Sequence, residues 1–414
     1  MELDRRAREQ ILAKVLRLVE EKFFDPKFDF AGWRAGVSEQ TEQLLSCPTA
    51  DEFEQRLHDL VAGLRVSHAN FFHSSAKRVP SRLAIGATLQ KCVTGGEAVW
   101  VFQDVHEGGP AALAGVRRGD ILVSVNGTAA KPPEAPTFAM GTTVPVTVRR
   151  SDGQTAELSV GVPIPRTRKL PYAEPRIVSH SIPRPGTGLL KASVFPGAIG
   201  IDVARALDAA VSELQQCKRL VVDLRGNPGG GIGGLRLMSY LTPDRLPVGY
   251  SLTRRRAQDG YDKNTLRKFG RIPASKWELV PLAFQFAFAE KSIALVTEGL
   301  GPQPFHGAMA VLINEHTASA AEMIAAFAAE NHLATIVGTR SAGRLLSADS
   351  FKLPYGYVLS LPVGAYYTWG GRLLEGSGVK PDVEVELSYE GVGQGVDTQL
   401  NAALDFVESG SLKT

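Results

Sequence analysis

The spacing of apolar and polar positions changes character three times along this chain. From residue 1 to about 75 the apolar positions recur at helical intervals. Ile11, Leu12, Val15, Leu16 and Val19 fall on one face of a first segment, and Phe53, Leu57, Leu60 and Val61 on one face of a second. The spacing predicts an N-terminal helical region over 1–79 that turns extended and aromatic at Leu64 to Phe72. From 80 to 162 short runs alternate with turn residues: LAIGATL, AVWVFQDV, ILVSVNG, TVPVTVRRS and TAELSV. This predicts an all-β module with one short helix, opened by Gly109-Pro110 and closed by Gly115. Prolines at 163, 165, 171, 175, 183 and 185 mark 163–186 as a semi-rigid linker. From 187 to 390 strands alternate with helices: Leu189 to Phe195, Ile201 to Gln216, Arg219 to Leu224 and Leu235 to Leu241. Such alternation implies a mostly parallel sheet covered by helices. A C-terminal helix and tail fill 391–414.

One stretch organises the α/β part. Val311 to Glu330, VLINEHTASAAEMIAAFAAE, reads as a buried strand, a tight turn holding Ser319, and an Ala-rich helix. A helix start leaves backbone N–H groups unpaired, so a serine there has donors beside it that can stabilise an oxyanion. The same position also suits an ordinary N-cap serine. Upstream, Leu224 to Gly234 carries glycines at 226, 229, 230, 231, 233 and 234, where backbone N–H groups can approach a ligand without side-chain obstruction. It lacks the G-x-x-x-x-G-K-[ST] of a phosphate loop and the dinucleotide-binding spacing, which argues against a nucleotide. His68 stands alone in the extended stretch Leu64 to Phe72; a lone histidine among apolar neighbours is more often structural than catalytic.

Composition narrows the field. At 414 residues, 44% hydrophobic and 21% charged, the chain is long enough for two or three soluble domains, and a net charge of +3 spread over that length does not suggest a nucleic-acid partner. Cys47, Cys92 and Cys217 lie far apart with no CxxC, so neither a disulfide framework nor a metal site is expected, and no cofactor. No stretch reaches the roughly 20 apolar residues that span a bilayer. The first 24 residues have no apolar signal-peptide core, so a cytoplasmic protein is expected, or a periplasmic one had a leader been removed.

The run Gly109 to Gly127 resembles the turn-helix-strand signature of a PDZ domain, with Ile85, Gly86, Ala87 and Thr88 at the place of its carboxylate-binding loop. Such domains bind an extended peptide as an added strand and hold its terminal carboxylate on backbone N–H groups. The full order, this module, then VVDLRGNPGG, NEHTASAAE and LLEGSGVKPDVEVE, resembles the carboxyl-terminal processing (tail-specific) proteases over nearly the whole chain. The resemblance implies an α/β protease core with a crotonase/ClpP-like sheet covered by helices, an inserted PDZ-like domain and an N-terminal helical cap.

Two catalytic arrangements exist in that family: serine with a lysine base, and serine with histidine and glutamate as in the tricorn core. The turn that carries the lysine reads Thr339-Arg340-Ser341-Ala342-Gly343-Arg344-Leu345 here, and an arginine cannot be deprotonated to act as a base. Arg65 to Ala69 resembles the histidine motif of the tricorn type, with Val66 or Ser67 where an aspartate is expected, and Gly371 to Gly376 matches the segment that supplies the glutamate. The resemblance therefore implies Ser319 as nucleophile, His68 as base and Glu375 as orienter, with an oxyanion hole from Gly229 or Gly230 together with Ala320. His316 and His332 read as turn and helix-end residues. The expected function is a serine endopeptidase acting on unfolded or C-terminally recognised polypeptides, its oligomeric state open. The alternatives are an inactive peptide-binding protein of the same fold, a Ser/Lys protease using Lys352, and an acyl-CoA enzyme whose enolate would use the glycine loop.

Overall fold

The computed structural model describes residues 3–75, 78–164, 176–278 and 292–409. Three helices, Arg5–Lys22, Phe30–Leu45 and Ala50–Ala62, open the chain. Ile11, Leu12, Val15 and Val19 from the first, and Phe53, Leu57 and Val61 from the third, are buried together against Leu353, Tyr357, Leu359 and Leu361. Asp4 and Thr49 cap their N-termini by accepting from Ala7 N and Glu52 N. The middle helix lay unread in the sequence because its buried positions reduce to Val37, Leu44 and Leu45.

The helices rest on a six-stranded sheet ordered Asn70–His73, Tyr357–Thr368, Pro247–Thr253, Ile293–Val296 and Arg267–Phe269, with Leu346–Lys352 also paired to the long second strand. A second six-stranded sheet runs in the order Val178–Arg184, Thr187–Ala192, Arg219–Asp223, Met309–Ile313, Thr335–Gly338 and Val383–Glu384. All its neighbours are parallel except the first pair. Its central strand, Met309–Ile313, is buried at every residue, as a sheet covered on both faces requires. Helices Ile201–Glu213, Gly234–Tyr240 and Ala320–Glu330 pack into the core on one side, and Thr398–Ser409 buries Ala403, Leu404 and Val407 against Val221, Ala310, Leu312 and Val337 on the other.

The expected linker is shorter than its proline content suggests. Val178–Arg184 is already an edge strand of the core sheet, and the pairing shifts register between Ser181 and Arg184, around Pro183. An edge strand can carry a residue that donates no hydrogen bond, so proline there does not break the sheet. Residues 165–175 of the expected linker lie outside the described residues.

The all-β module has the strand order Ala87–Thr94, Glu97–Val105, Ile121–Val125, Thr143–Arg149 and Thr155–Gly161, with its short helix at Pro110–Leu113. The run LAIGATL is not one strand. Ser81–Ala84 forms a helical turn, Gly86 takes a positive φ of 68°, and the strand starts at Ala87. Arg78–Pro80 pairs with Thr137–Ala139 as a separate two-stranded ribbon. Among the described residues no helix is long and apolar enough to cross a membrane.

Candidate active site

Ser319 sits where Met309–Ile313 leads into Ala320–Glu330, and its backbone is strained, at φ 54°, ψ −123°. A non-glycine residue occupies that region only when its surroundings enforce it. The enforcing bonds are all present. Thr317 Oγ1 accepts from Asn314 N at 2.9 Å and donates to Leu224 O at 2.9 Å, and Ala318 N donates to Asn227 O at 2.9 Å. Ser319 N itself is shared between Arg344 O at 3.1 Å and Glu322 Oε2 at 3.0 Å. The following helix is buried from Ala320 to Ala328 and apolar over that stretch except at Glu322, and its alanines suit a site closed on every face.

The glycine loop lies directly against this turn. Gly229 has φ 90°, and a Cβ there would stand 2.5 Å from Ser319 Cβ and 2.8 Å from Ala320 N. Gly230 has φ 129°, and a Cβ there would collide with Phe195 O. Both positions therefore exclude side chains for two reasons, conformation and space. The loop is pinned by buried groups: Asn227 Oδ1 accepts from Gly229 N at 2.8 Å, Asn227 Nδ2 donates to Ala192 O at 2.8 Å, and Asn314 Oδ1 accepts from Gly226 N at 2.9 Å. The Gly229 N–H is thus already used. The Gly230 and Ala320 N–H groups have no protein acceptor among the described residues.

His68 lines the same cleft of about 380 Å³ as Ser319, Gly230 and Ala320. It also has a positive φ, 64°. Its ring reaches Glu375 through Ser67 rather than directly. Glu375 Oε1 accepts from Ser67 N at 2.6 Å, and Oε2 accepts from Ser67 Oγ at 2.8 Å and from Leu345 N at 2.9 Å. Ser67 Oγ lies 2.7 Å from His68 Nδ1. A hydroxyl has one proton, and this one goes to the carboxylate, so Ser67 Oγ accepts from Nδ1–H and Nε2 is left with its lone pair free. The residue is exposed at the mouth of the cleft, but protein surrounds its ring on the inner side. That burial lowers the imidazole pKa below its usual value; Glu375 opposes the shift and the Arg344 guanidinium adds to it.

The remaining expectations fall out by position. Lys352 is exposed at the far end of Leu346–Lys352, four residues beyond Ala348, the last of that strand to line the cleft, or roughly 13 Å along a strand. Its location does not suit a base. Arg344 takes part through its backbone, N to Glu322 Oε2 at 2.9 Å and O from Ser319 N, so the loss of a lysine side chain there leaves the turn intact. His316 Nε2 sits 3.1 Å from Leu89 O in the β module, and His332 is a left-handed residue just past the nucleophile helix. Residues Ile85 to Thr88 are buried rather than open: Ile85 O and Gly86 O accept from Ala111 N and His106 N, and the Thr88 side chain lies beside Gly226 of the glycine loop. Ile85 and Ala87 belong to the module's own core, and only Thr88 faces the protease core.

Sequence reasoning missed Ser67 as a bridge and Glu322 and Asn227 as organisers. Glu322 did leave a signal, the S-x-x-E spacing from Ser319 that marks a capping box. Ser67 left none beyond standing where an acid was expected, since a serine next to a histidine carries no pattern of its own.

With this geometry in view, the likeness to known proteins can be stated. Residues 186–385 match peptidase family S41, and residues 101–150 match a PDZ domain. The chain carries a peptidase family S41 domain and a PDZ domain. It is 26% identical over 313 residues to a carboxyl-terminal-processing protease of Synechocystis sp., covering 73% of this chain and 64% of that one. It is 26% identical over 422 residues to a putative tricorn protease homolog 2 of Streptomyces coelicolor, covering 95% of this chain and 32% of that one. The chain thus spans under two thirds of the length of both. In fold it is similar to the photosystem II D1 C-terminal processing protease, with a TM-score of 0.57 at 19% identity over 94% of this chain and 97% of that one.

Proposed function

We propose that this chain is a serine endopeptidase that cuts unfolded or C-terminally presented polypeptides with Ser319 as nucleophile, His68 as base and Glu375 as orienter through Ser67. The observation that carries the reading is the hydrogen-bonded series Glu375, Ser67, His68, whose last member lines the cleft that holds Ser319. In this reading Nε2 takes the Ser319 proton as Oγ attacks the peptide carbonyl, and the Gly230 and Ala320 N–H groups receive the oxyanion. His68 then protonates the leaving amine, and a water activated by the same imidazole releases the acyl group. Glu375 stabilises the imidazolium across the Ser67 hydroxyl. Ile232, Ile293, Leu295, Met323 and Tyr366 line the cleft beside the nucleophile with no charged side chain among them, which favours an apolar residue at the cut.

The test is digestion of an unfolded proteome by the purified chain, read by mass spectrometry beside variants. Ser319→Ala and His68→Ala are expected to lose several orders of magnitude in turnover with the fold intact. Arg344→Ala and Lys352→Ala are expected to retain substantial activity. Activity lost in Lys352→Ala but kept in His68→Ala would overturn the assignment of the base, and a wild type that cuts nothing would favour an inactive binding protein.

A further inference from the structure

We propose that Glu322 is a positioning residue that ties the nucleophile to the acid end of the triad, an inference that rests on the triad reading above. Glu322 is fully buried, and its carboxylate is surrounded by four donors. Oε2 accepts from Ser319 N at 3.0 Å and Arg344 N at 2.9 Å; Oε1 accepts from Ser341 Oγ at 2.6 Å and Gly343 N at 2.7 Å. A buried carboxylate is costly unless its lone pairs are filled, and here each lone pair holds a different piece of backbone or side chain in place. One bond fixes the strained turn of Ser319. The other three fix the turn from Ser341 to Arg344.

That second turn is also what holds Glu375. Its next residue, Leu345, donates N–H to Glu375 Oε2 at 2.9 Å, Gly343 O accepts from Gly376 N at 2.8 Å, and Ser341 Oγ accepts from Val379 N at 2.7 Å. Glu322 and Glu375 therefore grip the same five-residue turn from opposite sides. One end of this bonded path is the nucleophile's own N–H, and the other is the carboxylate that fixes the His68 tautomer through Ser67. If the turn slips, Glu375 leaves Ser67 and the imidazole loses its orientation while the cleft that binds substrate is preserved. Glutamine at 322 would slip it, because its NH₂ group must face either Ser319 N and Arg344 N or Ser341 Oγ and Gly343 N, placing donor against donor.

The test uses the full chain and an alkyl fluorophosphonate, whose reaction at Ser319 separates binding (KI) from chemistry (kinact). Glu322→Gln is expected to lower kinact about tenfold to a hundredfold, the range seen when a partner of a reacting group is lost, with KI within about twofold. Glu375→Gln is expected to lower it similarly, and the double variant to be no slower than the worse single variant by more than about twofold, since both act on one turn. A fall that multiplies in the double variant, or a kinact at the wild-type value in Glu322→Gln, overturns the proposal. Should Glu322→Gln fail to fold, Ser341→Ala, which removes one of the four donors, replaces it in the same cycle with the same expectation. A wild type that does not label at Ser319, matching Ser319→Ala, sinks the triad reading and this inference with it; a labelled wild type with an unaffected Glu322→Gln sinks this inference alone.

Discussion

The imidazole of His68 feels burial, Glu375 and Arg344 with two different signs. Burial and Arg344 lower its pKa and Glu375 raises it, with burial the largest and the net result below the usual value near 6.5. In the proposed mechanism His68 must be neutral to accept the Ser319 proton, so the acid limb of kcat/KM follows this group in the free enzyme and is expected below pH 6.5. Arg344→Ala removes a lowering influence and is expected to move the limb to higher pH. Glu375→Gln removes the raising one and is expected to move it to lower pH while the rate falls. Ser67→Ala breaks the bridge between them and is expected to cost roughly tenfold to a hundredfold, the value of one hydrogen bond to a charged group. Rate profiles across pH 4.5 to 8.5 for the four proteins check all three, and a wild-type limb at or above 6.5 would contradict the burial of the ring.

At the scale of elements the site is two turns bridged by the Glu322 carboxylate, with the glycine loop pressed directly against the Ser319 turn. Gly229 and Gly230 approach Ser319 and Phe195 so closely that a methyl group cannot enter. Gly229→Ala is therefore expected to push the glycine loop off the nucleophile, displacing the Gly230 N–H. Loss of one oxyanion donor costs about a hundredfold or more in turnover, and the left-handed φ adds a stability penalty of about 1 kcal/mol. Turnover and thermal melting measured together distinguish this from a global loss of fold: the expected variant melts a few degrees lower and is nearly inactive. The loop is supported from behind by Arg225, buried between Asp223 at 2.8 Å and Asp397 at 2.8 Å. Asp397 is partly buried, which opposes ionisation, yet Arg225 and Arg118 hold its pKa down to about 2. A carboxylate with a folded pKa below its unfolded one contributes stability above about pH 4 that is lost as pH falls toward 2. Denaturant melts of the wild type are expected to weaken over that window, and those of Asp397→Asn to start lower and vary less across it.

Across the whole molecule the PDZ domain is docked against the back of the glycine loop. Arg82 donates from Nε to Gly226 O at 2.8 Å and from Nη2 to Ser193 O at 2.6 Å, while buried Asp104 faces Lys191 at 3.6 Å. Burial works against the Asp104 charge, but Lys191, Arg118 and Arg225 outweigh it and keep its pKa far below the carboxylate range. The domain therefore meets the protease core through charge and backbone carbonyls, the kind of contact that separates at modest cost. If Ile85 to Thr88 receives a peptide terminus, a free C-terminal carboxylate should outcompete the matching amide by roughly tenfold to a hundredfold. Titration of the full-length Ser319→Ala variant with acid and amide forms of one apolar-ended peptide checks this. Equal affinities would mean that the domain reads internal sequence or braces the core.

The sequence by itself determined what depends on near neighbours. The helical spacing of Ile11 to Val19, the strand-turn-helix around Ser319, the glycines of 226 to 234 and the arginine in the place of a lysine base are all patterns within a few residues, and local backbone preference writes them directly. Only the tertiary structure decided what depends on distant ones. Ser67 and Glu375 stand 308 positions apart and share a carboxylate through two hydrogen bonds. Glu322 reaches a turn about twenty positions away, and Arg82 reaches the glycine loop across 144 positions from another domain. Thr88 beside Gly226 is a contact of the same kind, whereas Ile85 and Ala87 are buried in the PDZ domain's own core. Such contacts leave no periodicity in the chain: they exist because two sheets and an inserted domain converge on one cleft, and that convergence places an ordinary serine between a histidine and a distant glutamate.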